Sequence, residues 1–62
     1  MCESNAYLKK GDREELLLEN VTFLQPKGGK LVLSSLFGDQ VEVDATIVEI
    51  DLMAHKIVLE EK

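Results

Sequence analysis

The 62-residue sequence predicts an all-β domain: a small antiparallel barrel or strongly coiled sheet of about seven short strands. Three observations carry that expectation. Val, Ile, Leu and Thr alternate with polar residues over short runs, the pattern of strands with one face packed and one wet. Turn signals built on Gly, Pro and Asn punctuate the chain every few residues. A flat meander of so many short strands would also leave long exposed edges, which closure or coiling removes.

The strands follow in order. Glu3–Lys9 runs first, with Ser4, Ala6 and Leu8 on one face and Asn5 and Tyr7 on the other. Lys10-Gly11-Asp12 is a turn, because Gly11 is free to take a positive φ. Glu14–Glu19 returns as the second strand; the run would also suit a turn or two of helix, but its shortness and β-type neighbours favour a strand. Asn20 breaks it. Val21–Gln25 is the third strand, with Val21 and Phe23 on one side and Thr22 and Leu24 on the other. Pro26-Lys27-Gly28-Gly29 is the strongest turn in the chain and joins antiparallel neighbours.

Lys30–Ser34 is the fourth strand, and Leu36–Gln40 a tight turn with Gly38-Asp39 at its tip. Val41 and Val43 flank Glu42 in a short, half-exposed fifth strand. Thr46–Asp51 is the sixth, and its Ile47, Val48 and Ile50 suggest burial on nearly both faces. Leu52-Met53-Ala54-His55 connects it to the seventh, Lys56–Glu61, with Met53 packed at the lip of the barrel. Residues 1–62 read as a single small β domain without repeat, linker or low-complexity tract.

A chain of this size buries only about 60% of the surface it exposes when unfolded, so its core is marginal. Disulfides, a metal or a partner subunit normally make up the deficit. One cysteine excludes an internal disulfide and fits a reducing compartment, which leaves metal binding or oligomerisation. No apolar run approaches the ~20 residues of a membrane span, and the first residues lack the basic-then-apolar pattern of a signal peptide. The expected setting is the cytoplasm. The net charge of −5 opposes nucleic-acid binding, which draws its affinity from Lys and Arg displacing counterions. Lys9, Lys10 and Arg13 form one local basic cluster, largely offset by Asp12, Glu14 and Glu15, and three scattered aromatics make no stacking platform.

Enzyme signatures are missing. Gly28-Gly29 lacks the following helix of a phosphate loop, no serine sits in a nucleophile elbow, and nothing in the sequence places the single histidine, His55, beside the single cysteine, Cys2. Cys2 itself has two readings. Behind Met1, its thiol lies within chelating reach of the chain's α-amine and first amide, and coordination through both nitrogens and the sulfur closes two five-membered rings. A planar set of that kind suits Ni(II) or Cu(II) better than tetrahedral zinc. Alternatively, Cys2 is a small apolar residue starting a strand. His55 likewise reads either as an imidazole ligand completing a nitrogen–sulfur site or as an ordinary turn residue.

Met1-Cys2-Glu3, Leu36-Phe37-Gly38-Asp39 and Glu49-Ile50-Asp51-Leu52-Met53-Ala54-His55-Lys56-Ile57 together resemble the CooT family, small proteins tied to nickel handling and carbon monoxide dehydrogenase maturation. The resemblance covers essentially the whole chain. It implies a homodimer that binds one Ni(II) through Cys2 of both copies, with the Met1 amine a chemical extension of that site, and delivers it to a client nickel enzyme. It assigns no role to His55. The absence of a histidine-rich tail argues against bulk nickel storage. Relatives have also been labelled RNA-binding, so a metal-free RNA-binding or protein-interaction barrel is the competing expectation.

Overall fold

Strict alternation in the first strand sets the pattern for the whole sheet. In the computed structural model, which describes residues 3–62, β1 (Ser4–Lys10) buries Ser4, Ala6 and Leu8 and leaves Asn5, Tyr7 and Lys9 half-buried on the opposite face. It turns at Gly11, φ +65°, and Lys10 faces Arg13 as β2 begins. The further strands are β2 (Arg13–Lys27), β3 (Lys30–Ser35), β4 (Gln40–Val43), β5 (Ala45–Asp51) and β6 (Lys56–Glu61). They form one curled sheet in the order β4-β3-β2-β1-β6-β5. This half-barrel agrees with the expected small barrel or coiled sheet.

The strand count differs for one physical reason. The runs expected as second and third strands are a single strand of 15 residues, because Asn20 kinks the chain without ending it. Asn20 sits at φ +56°, a left-handed conformation that asparagine tolerates better than most residues. The register slips at three places along β2: between Leu18 and Val21, at Leu17, and between Val21 and Phe23. Each extra residue is a bulge that bends the strand and tightens its twist. Bent in this way, β2 pairs with β1 through its first half and with β3 through its second. The last slip also reverses an expected face: Val21 is buried, Phe23 is 51% exposed, and Leu24 packs against the core.

A second difference lies in strand direction. Four neighbouring pairs are antiparallel, but β1 and β6 run parallel, Asn5 beside Lys56 through Lys9 beside Glu60. This pairing joins the two ends of the sequence and encloses the core. Ala6, Leu33 and Leu59 are wholly buried at its centre, with Val21, Leu31, Ala45 and Ile57 around them. The β2–β3 turn falls where expected but is tighter: Pro26 and Lys27 belong to β2, paired with Leu31 and Lys30, and only Gly28 and Gly29 turn. Gly28 (φ +57°) and Gly29 (φ +83°) are both left-handed, the requirement of a two-residue hairpin whose twist matches its strands.

The third difference concerns β5. Only Ala45 is buried; Ile47, Val48 and Ile50 are 42%, 49% and 50% exposed, contrary to the expected burial on both faces. β5 is the last strand of the sheet, so its outer side lacks a neighbour, and the apolar run alone does not reveal edge position. Met53 is 93% exposed and does not pack at the barrel lip. None of the described residues forms a helix long and apolar enough to cross a membrane.

Candidate metal centre

The residues singled out as ligands, Met1 and Cys2, lie outside the described residues; the structure begins immediately after them, at Glu3. What it defines is the end of the sheet at which β1 starts. Lateral Cα partners run across that end from Ser35 through Val21 to Ser4, and one residue further from Asn5 through Lys56 to Asp51. The β3–β4 turn, the start of β1 and the β5–β6 turn therefore leave the sheet side by side, although more than 30 residues separate the first two in sequence.

Asn5 ties these pieces together. Its backbone N–H donates to the His55 carbonyl at 2.9 Å. Its side-chain Oδ1 accepts from the Asn20 N–H at 3.2 Å, which satisfies a donor that the β2 bulge removes from the ladder. The Asn20 carbonyl in turn accepts from Leu36 N–H at 2.8 Å, anchoring the β3–β4 turn. Within that turn, buried Ser35 accepts through Oγ from the N–H groups of Phe37 and Asp39, each at 3.1 Å. Gly38 sits there at φ +92°, a conformation costly for any residue with a Cβ. Asp51 closes the other turn by accepting from Ala54 N–H at 3.0 Å.

His55 is exposed at φ +54°, and its carbonyl is held against β1 three residues beyond Cys2. Sequence reasoning found no link between His55 and the start of the chain, because the parallel β1–β6 pairing that creates it is entirely non-local. Among the described residues, no three His, Cys, Asp or Glu side chains come together as a metal site.

Both turns at this end carry large apolar side chains. Leu36 and Phe37 are 46% and 74% exposed, Leu52 and Met53 75% and 93%. Turns are normally polar, so four such residues flanking one end of a small sheet are an unusual exposure of apolar surface. Charge is arranged differently at the opposite end of β1. There Lys10 and Arg13 both pair with Glu15, at 3.5 and 3.8 Å; Lys56, whose backbone lies beside Asn5 at the first end, reaches along the strand to pair with Glu14 at 3.0 Å. Lys56 also lies 5.2 Å from the centre of the Tyr7 ring. The hydrogen bond and charge of Glu14 hold its ammonium above the usual lysine range. Of the local basic cluster, Lys10 and Arg13 are thus engaged by a neighbouring carboxylate, whereas Lys9 makes no ion pair among the described residues.

Comparison with known proteins covers the whole chain. The family model described as CooT, CO dehydrogenase accessory protein, matches residues 1–60. An uncharacterized protein of Methanocaldococcus jannaschii is 38% identical over 60 residues, spanning 97% of this chain and 98% of its own length. A crystal structure assigned to CooT from Carboxydothermus hydrogenoformans superimposes with a TM-score of 0.94 at 39% identity, covering 98% of each chain.

Proposed function

From the premise that this chain belongs to the CooT family of CO dehydrogenase accessory proteins, we propose that it is a non-catalytic nickel carrier. It captures Ni(II) through Cys2 and passes it to a client enzyme of the carbon monoxide dehydrogenase type. The observation that carries this reading is the extent of the family match. It starts at residue 1 and so includes Met1 and Cys2, the two residues whose donors form an amine–amide–thiolate set suited to a square-planar ion. Cargo of this kind leaves by ligand exchange, which a chelate at a chain terminus permits without unfolding the sheet.

The working unit in this proposal is a homodimer in the cytoplasm. Two Cys2 thiolates with nitrogens from the same termini complete a nitrogen–sulfur plane for one Ni(II). The exposed pairs Leu36–Phe37 and Leu52–Met53, flanking the end where β1 starts, are the surface a second copy would cover. Burying them also supplies the apolar area that a 62-residue monomer lacks. Among the described residues, four of the seven cations are engaged by carboxylates, which disfavours the competing RNA-binding reading.

The test is a titration of reduced, tag-free protein with Ni(II), followed through the thiolate-to-nickel charge-transfer band and by native mass spectrometry. The proposal expects saturation at one nickel per dimer and loss of tight binding in Cys2→Ser with the fold intact. Stoichiometric nickel retained by Cys2→Ser would overturn it. Ligation by thiolate and amide displaces protons, so affinity falls as pH drops.

A further inference from the structure

The open edge of β5 is the second unpartnered surface of the molecule. Every residue from Thr46 to Asp51 is exposed, and the strand has no hydrogen-bonded neighbour on its outer side. Ile47 and Ile50 stand opposite Leu59 and Ile57, both core residues, and directly opposed residues of an antiparallel pair share a face. These two isoleucines therefore line the open side of the half-barrel, where an added strand would cover them. Exposed apolar edges are normally blunted by a lysine, a proline or a bulge; β5 carries one bulge, at Val48. From Asp44 through His55 this chain has no lysine, proline or arginine.

Charge decides what kind of strand fits. The same stretch carries Asp44, Glu49 and Asp51, and the adjoining end of β6 carries Glu60 and Glu61. Lys62 pairs with Asp44 at 3.7 Å, whereas among the described residues Glu49, Glu60 and Glu61 make no ion pair. A second copy adding its own β5 would bring like charges together, which is destabilising across a strand pair. A basic segment would meet complementary charge, gaining association rate and register as well as backbone hydrogen bonds.

We propose that the β5 edge is the docking site for the client, and that it takes a basic, extended segment of that protein as an additional strand along Thr46–Asp51. This rests on the reading of the chain as a carrier that serves a client, and it adds where and by what chemistry the client is held. Asp51 leads directly into the Leu52–His55 turn, so a segment lying on β5 ends beside the end of the sheet from which β1 starts. Delivery and docking would then share one rim while using different residues.

The test uses the full-length, nickel-loaded protein and purified nickel-free carbon monoxide dehydrogenase as the probe, with binding measured by calorimetry at low and moderate salt. Expected results are affinity that weakens at least tenfold with added salt and at least tenfold in Ile50→Lys and in Glu49→Lys. Both variants should keep the charge-transfer band, the nickel stoichiometry and the dimer mass of the parent. Unchanged client affinity in both variants overturns the docking site while leaving nickel carriage standing. A change of oligomeric state in Ile50→Lys, with client binding intact, overturns it in favour of an interface between copies. A parent protein that binds nickel but not the enzyme overturns the docking proposal and the assigned client together.

Discussion

Asn5→Ala tests whether the bulge in β2 is held by a side chain or holds itself. The Asn5 Oδ1 atom accepts from the Asn20 N–H at 3.2 Å in a part-buried setting, and the β2 bulge leaves that donor outside the strand ladder. Alanine removes the acceptor without altering the β1 backbone. A hydrogen bond of this type contributes about 1 kcal/mol net, and stranding a partly buried donor costs about 1–3 kcal/mol. Water reaches part of this site, so the lower half of that range applies, giving an expected loss of roughly 1–2 kcal/mol. In urea, with an m value of about 1 kcal/mol/M for so small a chain, the midpoint moves down by about 1–2 M. Thermal unfolding shifts by about 4–8 °C for each kcal/mol. Measurements need a fixed protomer concentration, since the association proposed above would contribute to apparent stability. Asn5→Asp keeps an acceptor at the same place, next to Lys56 in the parallel register, and should recover most of the loss. An Asn5→Ala midpoint within about 0.3 M of the parent would refute the argument. So would an Asp variant as unstable as the Ala variant.

Other expectations follow from the same geometry. Leu33 is wholly buried at the centre of the core, so Leu33→Ala should cost about 2–5 kcal/mol; against a total of about 3–9 kcal/mol for a chain of this length, circular dichroism at 37 °C should show a partly or fully unfolded population. On the proposed homodimer, replacing both Phe37 and Met53 by Asp should shift the sedimentation profile toward monomer without changing the strand signature, because both side chains are largely exposed in the single copy. Lys56 has a folded-state pKa raised first by its hydrogen bond to Glu14 and then by that carboxylate's charge. Its contribution is therefore fully present below the ordinary lysine value and is lost as pH rises through the higher folded value. Alkaline unfolding curves of the parent and Lys56→Met should converge above that point; curves that stay parallel would remove the Glu14–Lys56 pair as the cause.

What could be read from the residues alone was whatever is decided locally. Alternation at Ser4, Ala6 and Leu8 set the buried face of β1, since successive strand side chains point to opposite sides wherever the strand lies. Gly28-Gly29 announced its hairpin, because few other residue pairs adopt two left-handed conformations in succession. The candidate chelate was legible for the same reason: Met1 and Cys2 are adjacent in the chain, and their donors need no fold to find one another.

Tertiary structure decided the rest, where the controlling partner is distant in sequence. Asn20 looked like a break and is a bend, because Asn5 captures the N–H that the bulge releases. Ile47, Val48 and Ile50 looked like core and are edge, because burial depends on what lies beside a strand and not on its composition. His55 acquired a place beside the start of β1 only through the parallel pairing of β1 with β6, a contact between the two ends of the chain. Local preferences select strands and turns; neighbours, register and exposed edges follow from how one small core can be enclosed.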